Sequence, residues 1–324
     1  TLALIENIQR DDLNSIEDIR QALEYVAVDY EPSFRSPGSV HRVRAGGLPF
    51  RDVVGCVLSN ELLDSFPVHR FTVQEGRIRE VYVTLRNGEL VDALDEPSTA
   101  RIEERLLGMG MELPEGFQGE VNLALEEWTA ELSRALLRGF VLTFDYGHLA
   151  PDLYSPERRR GTLRCYYSHT LGSNPYRHLG RQDITAHVDF TSLMRLGEKH
   201  GLATVGFTSQ REFLQNLGFT SLLDSLRRRQ LPQRERNANR MAMLDLVKPG
   251  EMGDFKVLAQ ARGMEQDIHL SGFTQNSPLR EGTQAGRDLP EAPLLSPGHM
   301  DLMGGRYPHL SWEPEGLGPF EQEP

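Results

Sequence analysis

The chain has 324 residues, with 35 Lys+Arg against 47 Asp+Glu, a formal charge of −12, and 39% hydrophobic residues. That length holds one large domain or two modest ones around a real core. The acidic balance argues against a nucleic-acid coat, which needs a basic surface, no stretch reaches the roughly 18 apolar residues of a membrane span, and no basic-then-apolar leader marks secretion. Two cysteines, Cys56 and Cys165, are too few for a disulfide scaffold or a structural zinc site, so a reducing cytoplasm is the expected compartment.

In chain order, Leu2, Leu4, Ile5 and Ile8 space as one helical stripe, and Ile16, Ile19, Ala22 and Leu23 as a second. Tyr25–Val28 is a short apolar run of the kind a buried parallel strand shows, and it ends in Asp29. A loop is expected from Pro32 to Gly47. Val53–Ser59 is a second buried strand, ending in Asn60 and Glu61. Phe71–Val73, Ile78–Thr84 and Glu89–Ala93 read as an antiparallel ribbon, turned at Glu75-Gly76 and Asn87-Gly88. Thr99–Leu107 is expected to be a helix. Val121, Leu125, Trp128, Leu132 and Leu136 predict an amphipathic helix over Glu120–Leu137, with Gly139 as its stop.

Phe140–Phe144 is a third buried strand, ending in Asp145, Tyr146 and Gly147. Residues 148–188 read mostly as loop, and a loop of that length is usually functional. Asp189 is expected to cap a helix running to His200. Leu202–Thr208 reads as a strand, Phe213–Leu217 as a short helix, Leu222–Leu246 as a basic helix and Lys256–Gln260 as a closing strand. From Ser271 onward, 8 Pro and 8 Gly in 54 residues mark a low-complexity tail.

Three expected strands therefore end in Asp29, Asn60-Glu61 and Asp145-Tyr146-Gly147. In parallel α/β sheets ligands bind beyond the carboxyl ends of the strands, where an ionised carboxylate can accept from two ribose hydroxyls. The plainer reading of any one such acid is a helix cap.

The run Gly55–Phe71, with Asn60-Glu61, Asp64, Pro67-Val68 and Phe71, resembles the signature of the MidA-like methyltransferases. Asp145-Tyr146-Gly147, Gly161–Arg164 with His169, Asp183–Phe190 and Gln210–Gly218 resemble further blocks of that family, in order. The resemblance covers roughly residues 1–260. It implies a Rossmann-like α/β methyltransferase sheet over 1–262 with an antiparallel hairpin and helical insertion at about 71–138, then a Pro/Gly-rich tail over 263–324. It also implies S-adenosylmethionine (SAM) as cofactor and a protein side chain as acceptor. The family includes a mitochondrial complex I assembly factor that methylates arginine, so arginine leads and the mitochondrial matrix is the eukaryotic compartment. Thr1-Leu2-Ala3 resembles the start of the helix after the family's Gly-rich loop, so the first strand and that loop are expected to be missing in front.

By the same resemblance, Asp29 (with Glu31, two residues on, as its rival), Asn60, Glu61 and Asp145 are the expected cofactor contacts, and Glu61, Asp64 and His69 the expected catalytic groups. Tyr146, His169 and His187 are expected to face the acceptor. If Asn60–Phe66 begins a helix, Glu61 and Asp64 share a face and can clamp a guanidinium. His187 and Asp189 beside His169 and Asp183 are not read as a metal site, since the family is not one of metalloenzymes. The alternative function is a non-catalytic assembly or binding protein on the same fold. No membrane span and no nucleic-acid partner are expected.

Overall fold

The computed structural model describes residues 25–29, 40–167, 170–172, 174–264, 268–274, 294–295 and 299. The two helices expected over residues 2–23 and most of the tail lie outside these residues. The chain divides into two compact units, one of residues 1–46, 211–254 and 271–324, the other of 47–210 and 255–270.

In the first unit β1 (Tyr25–Asp29) pairs in parallel with β2 (Val40–Arg44), from Tyr25 opposite Val40 to Asp29 opposite Arg44. β1 matches the expected strand. β2 falls in the stretch read as loop, because His41, Arg42 and Arg44 interrupt the apolar run that marks a buried parallel strand. The expected helix over 222–246 is two helices, Phe219–Arg228 and Gln233–Leu246. Pro232 separates them, since proline lacks the N–H a helix interior needs.

The second unit runs through β3 (Val53–Asn60), β4 (His69–Gln74), β5 (Arg77–Arg86), β6 (Glu89–Asp95), helix α1 (Arg101–Gly108), β7 (Gln118–Val121), helix α2 (Ala124–Ala135) and β8 (Leu136–Asp145). It continues through β9 (Gly147–His148), β10 (Arg164–Tyr167), β11 (Thr170–Gly172), β12 (Asp183–Thr185), β13 (Val188–Asp189), helix α3 (Phe190–Lys199), β14 (Ala203–Ser209) and β15 (Lys256–Arg262). The main sheet has the order β14-β15-β8-β3, with β3 parallel to β8 and β15 antiparallel to both of its neighbours. A second sheet, β6-β5-β4-β7, is wholly antiparallel and is the expected ribbon with one strand added. That added strand, β7, occupies the start of the helix expected from Glu120; the helix itself begins at Ala124.

α2 and α3 pack beside the main sheet through Leu125, Leu193, Phe190 and Leu258, all essentially without solvent contact. Burying each such side chain stabilises by roughly 2 kcal/mol relative to exposure. Asp189 caps α3 as expected, its carboxylate accepting the Ser192 N–H at 3.0 Å. The insertion has its own core of Phe71, Phe117, Tyr154, Ile102 and Leu106. Among the described residues β3 is the edge of its sheet, and Val54 and Leu58 are 59% and 64% exposed. The apolar run of β3 therefore makes a strand, as expected, but one that is not buried on all sides.

Gly139 does not stop a helix. It sits inside β8 at φ 138°, opposite Gly55, and a Cβ there would overlap the Gly55 carbonyl oxygen. Only glycine meets both demands. Gly139→Ala should lower unfolding stability by about 3 kcal/mol or more; equal urea midpoints for variant and wild type would show that β3 and β8 do not approach this closely.

Candidate active site

β3 and β8 run side by side, so their carboxyl ends lie together. Asn60 ends β3, and the Glu61 N–H donates to the Phe144 carbonyl at 2.9 Å. Glu61 adopts a left-handed φ of 47°, uncommon outside glycine, and turns the chain sharply. The next three amides converge on one oxygen. Leu62, Leu63 and Asp64 N–H groups point at Asp145 Oδ2 at 3.2, 2.9 and 3.4 Å, and the Tyr146 N–H donates to Asp145 Oδ1 at 2.9 Å. This is a backbone nest filled by a carboxylate from the neighbouring strand. Asp145 has no solvent contact. Burial, and after it the nearby Asp64 charge, pushes its pKa up to about 7 despite the N–H donors.

The nest corrects the expected clamp. Leu63–Ser65 is a single 3-10 turn, because the amides after Glu61 are drawn to Asp145 and no α-helix starts there. Glu61 is exposed, whereas Asp64 is 5% exposed, so the two carboxylates do not share a helix face. Asp145 differs from its expected use as well: both of its oxygens are engaged by backbone, which makes it an organiser of the strand ends.

Behind the turn lies a second group of expected residues. Tyr146 and His187 meet edge to face with ring centroids 5.3 Å apart, His148 lies 5.3 Å from His187, and Phe255 lies 5.4 Å from Tyr146. Burial raises the Tyr146 hydroxyl well above its ordinary pKa, with the neighbouring Asp64 carboxylate adding to the rise. Burial, then the charges of His148 and two arginines, holds His187 near 4, so its ring is neutral at physiological pH. By strict distance and angle Asp64 Oδ1, Thr185 Oγ1 and His187 Nδ1 have no hydrogen-bond partner among the described residues, though the Tyr146 hydroxyl is near enough to Asp64 and Thr185 for both to act on it. Such orphans are rare in native proteins and ask for an explanation.

Gly147 explains the glycine of the Asp-Tyr-Gly block. β9 and β13 pair so closely that a Cβ at Gly147 would overlap the Val188 backbone. The segment around Thr162 is held from the insertion. Glu120 of β7 accepts from the Thr162 N–H at 2.8 Å and from the Thr162 hydroxyl at 3.0 Å, and Thr162 Oγ1 in turn accepts the His187 N–H at 3.1 Å. Sequence reading gave no role to Glu120 or His148, and it carried Thr162 and Thr185 only as members of the Gly161–Arg164 and Asp183–Phe190 blocks.

The remaining expected residues lie apart from this group. Asn60 and Glu61 are exposed and joined by an Asn60 Nδ2 to Glu61 Oε1 hydrogen bond of 3.1 Å. His69 belongs to the antiparallel sheet, with its Nδ1 2.7 Å from Glu80 Oε1. Burial works to raise Glu80, but hydrogen bonds from His69, the Ser98 N–H and Tyr82 outweigh it and hold its pKa near 2. His69 is thus committed to Glu80 and not to the strand ends, because β4 carries it into the insertion. Asp29 closes β1, with its side chain outside the described residues, as is His169. Among the described residues no group of three or more His, Cys, Asp or Glu side chains is arranged to hold a metal ion, and no helix is long and apolar enough to cross a membrane.

A parallel strand pair with polar groups gathered at its carboxyl edge defines a Rossmann-like α/β ligand-binding unit. Comparison with known proteins specifies it further. Residues 10–208 match a family described as "Putative S-adenosyl-L-methionine-dependent methyltransferase". The chain belongs to this family, which bears out the MidA-like resemblance. It is 28% identical over 218 residues to a Drosophila melanogaster protein named protein arginine methyltransferase NDUFAF7 homolog, mitochondrial, covering 64% of this chain and 47% of that one. A Caenorhabditis elegans protein of the same name is 30% identical over 183 residues, covering 52% of this chain and 38% of that one. The chain thus spans about half the length, or less, of these curated relatives. Two crystal structures from Burkholderia thailandensis superpose at a TM-score of 0.67. One, the native form, is 31% identical and covers 78% of this chain and 69% of its own. The other, solved with S-adenosyl-homocysteine bound, is 30% identical and covers 79% and 68%. SAM is accordingly the cofactor of this family. The exposed Asn60 amide and Glu61 carboxylate at the β3 edge fit it chemically, as polar acceptors suited to a ribose diol or a cationic donor.

The Asp145 shift has a pH signature. Its folded pKa is raised from 3.8 to about 7, so its contribution is fully present below about pH 4 and is lost as pH rises through about 7, by roughly 4 kcal/mol at most. Asp145→Asn should flatten the stability profile between those limits, read by urea unfolding at stepped pH. A variant profile parallel to wild type would contradict the assignment.

Proposed function

We propose that the whole protein is a SAM-dependent methyltransferase acting on a protein side chain, with arginine as the acceptor. The observation that carries this reading is the paired edge of β3 and β8. The exposed Asn60 and Glu61 stand where β3 ends. The buried Asp64 and Thr185 side chains lie beside the Tyr146 hydroxyl that follows β8. The names of the two curated relatives support arginine. Bound SAM supplies an electrophilic methyl group on a sulfonium. Asp29, Asn60 and Glu61 hold its polar parts. Asp64 and Thr185 receive N–H donors of the acceptor, while Tyr146 and neutral His187 wall the approach and keep water away. Transfer to a guanidinium nitrogen forms one N–C bond, breaks one S–C bond and releases one proton, which the exposed Glu61 carboxylate can take. His69 stays with Glu80. The catalytic domain spans 1–262 and the tail 263–324, in a reducing compartment, cytoplasmic or mitochondrial.

The test uses the full-length protein with methyl-labelled SAM and peptides that differ only in Arg or Lys. Label should enter the Arg peptide. Asp29→Ala and Glu61→Ala should each abolish transfer with unchanged thermal unfolding, and calorimetry should show SAM binding weakened at least tenfold. Wild-type activity in both variants would refute the site, and SAM binding without transfer to any side chain would favour a binding protein.

A further inference from the structure

The second unit also carries a cavity of about 290 Å³ that shares no residue with the strand ends. It lies among α1, α2 and α3. Arg101 and Arg105 come to it from α1 and Arg195 and Lys199 from α3, against the carboxylates Glu104 and Glu126, an excess of two positive charges. On a chain of net charge −12 this is a local reversal of sign.

The pairing inside the cavity is uneven. Glu126 is bound by Lys199 Nζ at 2.6 Å and by Arg101 Nη2 at 2.7 Å, so one carboxylate holds two cations. Arg195 Nη1 donates to the Gly108 carbonyl at 2.7 Å, which fixes its guanidinium at the end of α1 while leaving its charge unmatched by a carboxylate. Arg105 is only partly exposed; no hydrogen bond holds it among the described residues, and its charge acts at longer range on the buried Asp189 and Tyr154. The fork of Arg matches a carboxylate in two-point geometry. Met109 and Leu196 add an apolar wall beside these cations.

We propose that this cavity is a binding site for an acidic peptide segment of a partner protein, in which a carboxylate side chain meets Arg105 and Arg195 and a flanking apolar side chain rests on Met109 and Leu196. The volume suits two or three side chains, and the cavity opens between exposed residues of α1 and α3, so an extended segment can lie across it. The site is separate from methyl transfer and carries a docking role, holding a protein while another part of it reaches the strand ends.

The test is calorimetric titration of the full-length protein with a capped Glu-Glu-Leu peptide, its Gln-Gln-Leu counterpart and inorganic phosphate. The acidic peptide should bind, more weakly as salt rises, and the neutral counterpart should bind at least tenfold more weakly. Arg105→Gln should weaken the acidic peptide about tenfold or more, the loss of one charge-assisted contact. Because the Arg105 charge also acts on the buried Asp189, Arg105→Lys, which keeps that charge, is the control: it should unfold at the wild-type temperature and bind between the two. Equal binding of the two peptides, no binding of the acidic one, or an unchanged Arg105→Gln would overturn the proposal. So would phosphate displacing the peptide at equal concentration, which would mark a free-anion site.

Discussion

One buried carboxylate holds the candidate site together. Asp145, at the end of β8, gathers the amides of Leu62, Leu63 and Asp64 and its own neighbour Tyr146. A buried carboxylate is costly unless its oxygens are satisfied, and here the turn after β3 satisfies them. The same bonds make that turn. They pull three successive N–H groups inward, leave Glu61 turned outward in a left-handed conformation and bury Asp64 beside Tyr146. One interaction thus leaves Asn60 and Glu61 open to solvent and Asp64 buried.

The inserted antiparallel sheet contributes more than bulk. Glu120, pushed up in pKa by burial, holds the Gly161–Leu163 segment, and through Thr162 it fixes the backbone of His187. The bidentate Arg70–Asp92 pair, with Tyr176 on the same carboxylate, ties the sheet to the loop near residue 176. A stretch that sequence alone marks as largely irregular therefore contains a short three-stranded sheet, β11-β10-β12, braced from the insertion.

Long apolar runs were legible from sequence, because a strand or a capped helix needs only local pattern. β1, β3, β8, α3 and β15 are legible on that basis, whereas the contact of Tyr146 with His187 is not, since the two lie about forty residues apart. The features that were not legible depended on partners distant in the chain. β2 is hidden by its charges and β7 by the helical pattern just after it. Gly139 looks like a helix stop until Gly55 is set against it. Asp64 and Glu61 look like neighbours on a helix until Asp145, more than eighty residues away, claims the amides between them. Glu120 carries no local mark at all, since its role exists only in contact with Thr162.

The central claim is that Asp145 builds the turn after β3, and through it the site. Amide hydrogen exchange over Glu61–Ser65, with and without S-adenosyl-homocysteine, tests it in wild type and in Asp145→Ala. The account predicts slow exchange at Leu62, Leu63 and Asp64 in wild type and further slowing with ligand. In the variant it predicts exchange at least tenfold faster, with no ligand effect at these amides and with β15 still protected. Protection at Leu62–Asp64 that survives the loss of the carboxylate would contradict it.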